Sequence, residues 1–390
     1  MTESLKGVFS QGMLRLVDPQ QTLARITPLL AGMGITRCAD ITGLDRDLGV
    51  PTYTAVRPSG LVLQTGNGKG LTHTAAKVSA LMEAIELYHA ENPATGIFQR
   101  ASLRQMRDCG ETALVPKRDQ ADRSYYYTED YRIDWVEAEE LQSGKKVRIP
   151  ACAAYFIEPT ITKTTTNGLA SGNHLVEATL HGLYELIERD ATARLSVDGE
   201  MKIKGWCEVI DPDSLPNPLR DIGRTIERAE TRLILLKIPC DLGVHVFWAV
   251  LLNREPYRAV TALNSGYGAH ANMEVAAIRA ITEAVQSRLT LIQASRDDII
   301  DKPSFQRADV KAGTAWRYFD SLQADTRWDL VAYGQELVEK DLGRQLTVLL
   351  ETLRERGHDT ILRVNLQHTD IGVPVVKMIV PSLRFQRGLF

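Results

Sequence analysis

The sequence predicts an α+β fold built from repeated strand–helix units, and three observations carry that prediction. The first is an internal repeat. "GVPTYTAVRPS" (49–59) and "GVPVVKMIVPS" (372–382) both read Gly-Val-Pro, six residues, Pro-Ser, a turn feeding a strand that ends at proline. The second is a set of three helices that align on an alanine: "AKVSALMEAIE" (76–86), "ATLHGLYELIE" (178–188) and "AAIRAITEAVQ" (276–286). The third is apolar alternation in "LILLKIPC" and "VHVFWAVLLN", which predicts neighbouring strands turning at Asp241-Leu242-Gly243.

In chain order, "DPQQTLARITPLLAGMG" (18–34) reads as a helix capped by Asp18 or a neighbour and ended by Gly32. Residues 1–62 read as an N-terminal segment packed on the core, and 63–390 as the main domain. The polar run 115–134 reads as a surface excursion, and 299–316 as a loop. Composition bounds the function. With 44% apolar and 24% charged residues the chain suits a globular enzyme, and its net charge of −3 argues against a general nucleic-acid or membrane-surface binder. No apolar run approaches the roughly 18 residues of a membrane span. The start, "MTESLKGVFSQGMLRL", lacks a secretory h-region, so a cytoplasmic location is expected. The five cysteines are scattered without a CxxC, which predicts free thiols rather than a disulfide framework or zinc ribbon. His174 and His181, seven apart, could share a helix face, a spacing that more often caps or packs than binds metal.

The three aligned helices carry the chemistry. Position one is Ala76, Ala178 and Ala276, and position five is Ala80, Gly182 and Ala280. Small residues four apart let a helix backbone approach its neighbour closely. Position eight is Glu83, Glu185 and Glu283; position eleven is Glu86, Glu188 and Gln286. Acids three apart share a face, with Cβ atoms roughly 5–6 Å apart, and repel. One such helix would simply turn its acids to water. Three copies with the same small and acidic positions predict instead that the helices converge and the acids meet. Converging carboxylates in a closed site need cations, and Mg²⁺ commonly links carboxylates to substrate phosphates.

Phosphate-binding candidates lie beside these helices. "TGNGKGLT" (65–72) sets Gly66, Gly68 and Gly70 around Lys69, a glycine-rich turn able to approach phosphate oxygens. It is not a Walker A motif, because Leu63 stands at the first glycine position. "NGLASGNHLVEA" (167–178) offers Asn173 and Glu177, Arg189 follows Glu188, and "QSRLTLIQASRDD" (286–298) adds Gln286, Arg288 and Arg296.

These motifs resemble the YcaO family, ATP-dependent enzymes that activate the backbone amides of peptides. The matching runs are "GKGLTHTAAKVSALMEAIELYHAE", "NGLASGNHLVEATLHGLYELIERDA" and "RAITEAVQSRLTLIQASRDD", with the closing "GVPVVKMIVPSL". The resemblance implies ATP and Mg²⁺ as cofactors. It places metal ligands at Glu83, Glu86, Glu177, Glu185 and Glu188. It places ATP contacts at Ser79, Asn173 and Arg189 and, by looser matches, at Lys69, Arg279, Gln286 and Arg288. Leu87-Tyr88 departs from the Glu-Arg-Tyr of many members, so one arginine contact is missing.

The implied reaction has a nucleophile add to an amide carbonyl, the oxyanion attack the ATP γ-phosphate, and phosphate leave with the carbonyl oxygen. External sulfide would give a thioamide, a neighbouring Cys, Ser or Thr an azoline, and an amine an amidine. The tail "PSLRFQRGLF" lacks the proline-rich ending of azoline formers, and residues 22–58 resemble the branch that works with TfuA proteins. The expectation is thioamide installation in a ribosomally made precursor peptide, with a TfuA-like partner and a homodimeric enzyme. The alternatives are an azoline-forming cyclodehydratase and an ATP-binding accessory protein.

Overall fold

The computed structural model describes residues 5–384 apart from 11, 46, 116–126, 162–163, 198–199, 202, 255–258, 296–309 and 332–339. An N-terminal hairpin, β1 (Val8–Ser10) and β2 (Met13–Arg15), leads into α1 (Pro19–Ile26). Asp18 caps α1 by accepting the Gln20 N–H at 2.8 Å, as predicted. The helix ends earlier than expected, because Pro28 has no N–H to continue the ladder. Two 3₁₀ turns follow, and Gly34 rather than Gly32 closes the segment in the left-handed conformation, at φ 69°.

Next come β3 (Arg37–Asp40), β4 (Thr52–Val56), β5 (Thr65–Lys69) and the long α2 (His73–Glu91). They are followed by β6 (Gln99–Ala101), α3 (Leu103–Asp108), β7 (Ile133–Glu140), β8 (Lys145–Pro150), β9 (Leu169–Ser171) and α4 (Leu175–Ala193). A short hairpin, β10 (Ser196–Val197) and β11 (Glu200–Met201), precedes β12 (Glu208–Val209), α5 (Asn217–Arg228), β13 (Thr231–Ile238) and β14 (His245–Asn253). The third long helix arrives with α6 (Ala259–Ala262), β15 (Leu263–His270) and α7 (Met273–Gln293). The chain closes with α8 (Val310–Asp320), α9 (Trp328–Val331), α10 (Leu342–Glu355), β16 (Leu362–Asn365) and β17 (Val375–Ile379). The expected loop at 299–316 is corrected in part: from Val310 onward it is α8. Its earlier residues, and much of 115–134, lie outside the described residues.

Three antiparallel sheets form the frame: β3-β4-β5, then β6-β7-β16-β17-β9 with β8 on β7, then β12-β13-β14-β15. The predicted strand pair is β13 and β14, turning where Gly243 takes φ 68°. All nine residues of β14 are buried, as expected of a continuous apolar run at a sheet centre. The Gly-Val-Pro repeat is structural as well. Gly49 and Gly372 both adopt left-handed φ, 71° and 69°, and the strands that follow are β4 and β17.

The helical repeat resolves into three strand–helix units, β5–α2, β9–α4 and β15–α7. Each strand lies at the edge of its own sheet and each helix packs back on its strand. The small residues explain the packing. A Cβ on Gly68 would meet Ala80 N at 2.0 Å and Ala76 O at 2.3 Å, and one on Gly268 would meet Ala276 O at 2.2 Å and Ala280 N at 2.5 Å. In the second unit the helix supplies the glycine: a Cβ on Gly182 would lie 3.0 Å from Gly168 O. Positions one and five are small because strand and helix backbones touch there.

Candidate active site

The units meet head to tail around a cavity of about 1020 Å³, capped by the N-terminal hairpin. Position eight does the same work in each unit, accepting a backbone N–H from its own strand or, in the second unit, from the residue just before it. Glu83 accepts from Asn67 at 2.8 Å, Glu185 from Gly168 at 3.1 Å and Glu283 from Tyr267 at 3.3 Å. Position eleven reaches the next unit. Glu86 accepts Ser171 N at 2.8 Å and Ser171 Oγ at 2.6 Å, and Gln286 donates to Asn67 O at 3.3 Å. Glu188 faces the charge of Glu283. The ring brings the acids together as the repeat predicted.

Burial makes these charges costly. It pushes the Glu86 carboxyl up to about 8, with Glu83 and Glu185 adding repulsion against the Ser171 hydrogen bonds. It pushes Glu188 up to about 7, with Glu283 the next cause, and raises Glu185 against the pull of Arg189. Glu283 goes the other way. Burial opposes its charge, but Lys69, 2.5 Å away, and Arg189 hold its carboxyl below the usual range. From behind the acids, the buried Lys377 of β17 donates to Thr165 O, and burial lowers its ammonium to about 8 against Glu185.

Of the candidate ligands, Lys69, Ser79, Asn173, Arg189, Arg279 and Gln286 line the cavity, as do Glu83, Glu86, Glu177, Glu185 and Glu188. Arg189 stands 3.9 Å from Glu185, and Arg279 points its guanidinium at His181 Nε2, 3.4 Å away. Burial and Arg279 keep that imidazole uncharged. Glu177 differs from the other acids because its oxygens are engaged by the protein. It accepts Arg15 Nη1 at 3.1 Å, Leu16 N at 3.0 Å, and Asn173 N and Nδ2 at 3.3 Å, which ties the N-terminal hairpin to the wall.

Several expectations are corrected. Arg288 is not at the cavity. Two residues beyond Gln286 it points about 200° round the helix. There, 1% exposed, it pairs with Asp45 and donates to Thr261 O at 2.8 Å. Arg296 lies outside the described residues. The glycines of 66–70 do not form a phosphate-cradling turn. They belong to or directly follow strand β5, and their missing Cβ atoms admit α2. His174 is the cap of α4, accepting Val176 N at 3.2 Å, so it shares no helix face with His181.

Sequence reasoning saw Glu283 at position eight but did not count it among the ligands; its equivalence to Glu83 and Glu185 was the available signal. Ser171 and Arg15 had no local signal, whereas Lys377 stood out as a lone cation in an apolar strand.

The residues fit a divalent cation with a polyphosphate. Among the described residues no three His, Cys, Asp or Glu side chains close into a ready metal cage. An open set suits Mg²⁺, which keeps waters and phosphate oxygens in its shell, and the raised carboxyls show charge that a cation would relieve. Glu83, Glu86, Glu185 and Glu188 would hold it, with Lys69, Arg189 and Arg279 facing phosphates.

The fold and cavity are of the kind that serves ATP-dependent group transfer. Residues 67–384 match the family described as YcaO cyclodehydratase, ATP- and Mg²⁺-binding, and the chain belongs to that family, whose cofactors are ATP and Mg²⁺. Over 382 residues it is 34% identical to an uncharacterized protein in the tfuA 3′ region of Rhizobium leguminosarum bv. trifolii, covering 95% of this chain and 88% of that one. Its fold is similar to YcaO from Methanopyrus kandleri bound with AMPPCP and Mg²⁺ (TM-score 0.77, 24% identity, 97% of this chain and 94% of that one). It is also similar to a heterocyclase in complex with substrate and cofactor (TM-score 0.77, 22% identity, 99% of this chain and 54% of that one). No helix among the described residues is long and apolar enough to cross a membrane.

Proposed function

We propose that this chain uses ATP to phosphorylate a backbone amide oxygen of a peptide, and that sulfide from outside the chain replaces that oxygen to give a thioamide. The observation that carries the ATP chemistry is the ring of partly buried acids, Glu188 the most enclosed, with Glu188 and Glu86 raised to about 7 and 8, facing Lys69, Arg189 and Arg279. Sulfide adds to the amide carbon and the carbonyl pair moves to oxygen. That oxygen attacks the γ-phosphorus as ADP leaves. Phosphate then departs with the former carbonyl oxygen, and loss of a proton yields the thioamide. Lys69 and the two arginines offset charge on the transferred phosphoryl group, and bound Mg²⁺ supplies Lewis-acid charge neutralisation.

Two observations favour external sulfide. The relative in the tfuA 3′ region supports a TfuA-like partner as its source. All five cysteines are free, yet none is among the residues that line the cavity. Burial pushes Cys38 and Cys240 up to about 11 and Cys207 to about 12, which leaves little thiolate for sulfur carriage. The likeness to a heterocyclase supports a second reading, azoline formation by a side chain of the peptide. We further propose a homodimer acting on a ribosomally made precursor peptide.

Mass spectrometry of the peptide encoded beside this chain's gene, after incubation with ATP, Mg²⁺ and sulfide, decides between them. Exchange of one oxygen for sulfur is expected. Loss of one water without sulfide would replace thioamide by azoline, and neither change with ATP still bound would favour an accessory role.

A further inference from the structure

The aligned helices share one more layer, which the acids do not explain. Position four is Ser79, His181 and Arg279, and all three line the cavity. It stands one turn before the acids of position eight, so it forms the next layer toward the helix N-termini. Ser79 and Arg279 are candidate ATP contacts. His181 fills the same place in the second unit, and no role for it follows from the resemblance.

The imidazole has a particular neighbour. Both terminal nitrogens of Arg279, Nη1 and Nη2, reach His181 Nε2 at 3.4 Å each. A guanidinium can only donate, so Nε2 of the uncharged ring accepts and the ring proton sits on Nδ1. Nδ1 is buried, makes no hydrogen bond of normal geometry and faces the backbone of Ser171. Arg279 Nε is buried without a partner as well. Two long arms sharing one lone pair aim the fork without saturating it.

The charges around the cavity show why a neutral acceptor matters. Four Lys and Arg side chains line it among the described residues. Arg15 lies 3.1 Å from Glu177, Lys69 2.5 Å from Glu283 and Arg189 3.9 Å from Glu185. Arg279 touches no carboxylate among the described residues, and Glu185 and Glu188 feel its charge only from farther off. Its partner by helical spacing would be Glu283, one turn on, which Lys69 has taken. A carboxylate would orient the guanidinium and cancel its charge together. An imidazole orients it and leaves the charge whole for an anion. Arg15 and Lys69 act on the same ring through space, so His181 stands where three cations converge.

Resting on the function proposed above, we propose that His181 is a positioning residue whose neutral imidazole holds the Arg279 guanidinium toward the phosphates of the nucleotide without cancelling its charge. It acts through Arg279 and touches no reacting atom. Arriving phosphate oxygens replace the two long contacts with shorter, charge-assisted ones.

Calorimetric titration of the full chain with Mg²⁺ and the non-hydrolysable analogue AMPPCP tests this in a double-mutant cycle. His181→Ala should weaken binding by about 10-fold, the lower end for loss of a group that orients a ligand-binding side chain. Arg279→Ala should weaken it at least as much. The two together should cost no more than Arg279→Ala alone, because His181 then has nothing to hold. His181→Gln supplies another neutral acceptor and should restore most of the affinity. His181→Glu supplies a charged one and should not, since it would pair with the fork as Glu177 pairs with Arg15. Additive losses, full affinity in His181→Ala, a Gln variant no better than Ala, or restoration by Glu as complete as by Gln would each overturn the role. Melting temperatures without ligand are read on the same samples; if His181→Ala melts far below the parent chain, the comparison of Gln with Glu decides. A parent chain that fails to bind AMPPCP with Mg²⁺ sinks the proposed function, whereas normal binding with additive losses sinks only the role of His181.

Discussion

Burial lifts the Glu86 carboxyl to about 8 and Glu188 to about 7, which makes stability without ligand depend on pH at two named residues. A carboxyl raised on folding is protonated in the folded chain where the unfolded chain has already released the proton. Its contribution is therefore complete below the ordinary carboxylate range and is lost as pH rises through 7 to 8. The melting temperature of the unliganded chain should fall across that window. Glu86→Gln should flatten the fall, because it removes the group that must ionise, and scanning calorimetry over a pH series checks both. A chain whose melting rose through the window would contradict the carboxyl burial. In function the same acids act oppositely. Glu188→Gln should lower Mg²⁺-dependent turnover by about 10²-fold or more, an effect of the size seen when one electrostatic group is lost from a phosphoryl-transfer or oxyanion site. Unchanged nucleotide affinity and turnover would remove Glu188 from the site.

At the scale of the elements, strand–helix contact depends on glycine. Gly68→Ala would drive a Cβ to 2.0 Å from Ala80 N, where neither backbone can yield cheaply. A loss of about 1–3 kcal/mol is expected, read from the denaturant midpoint. Gly313, in α8 with nothing within 4 Å of where a Cβ would stand, is the control. Gly313→Ala should gain about 0.5–1 kcal/mol, since alanine is the better helix former. If both changes cost the same, the contact is not what requires glycine. The alanine pattern and the acid spacing of the helices were legible because helix period is local. The glycines of 66–70 were misread because a strand and a turn share that composition, and only the partner helix decides which side of each glycine is filled.

For the whole molecule, a nucleotide with its cations would touch all three units and so couple them. At a ligand concentration 100 times Kd, Mg²⁺ with ATP should stabilise the chain by about 2.7 kcal/mol, seen as one shifted transition, and chelation should reverse it. Two transitions moving apart would show that the units do not share the ligand. Light scattering should give the mass of a dimer, and a monomer at micromolar concentration would remove that proposal. The ligand effect is global because β5, β9 and β15 belong to different sheets and all three lend residues to the cavity.

The sequence by itself determined the α+β class, the three units, the Gly-Val-Pro turns that feed strands and the acids that line the cavity. Each of these is set by spacing within some twenty residues, where backbone geometry fixes which side chains share a face. The tertiary structure alone decided that Arg288 braces Asp45, that Glu177 holds Arg15 and the N-terminal hairpin, and that Lys69 neutralises Glu283. Those pairs join residues separated by 243, 162 and 214 positions. No periodicity links them. Which cation meets which carboxylate follows from how the three sheets close around one cavity.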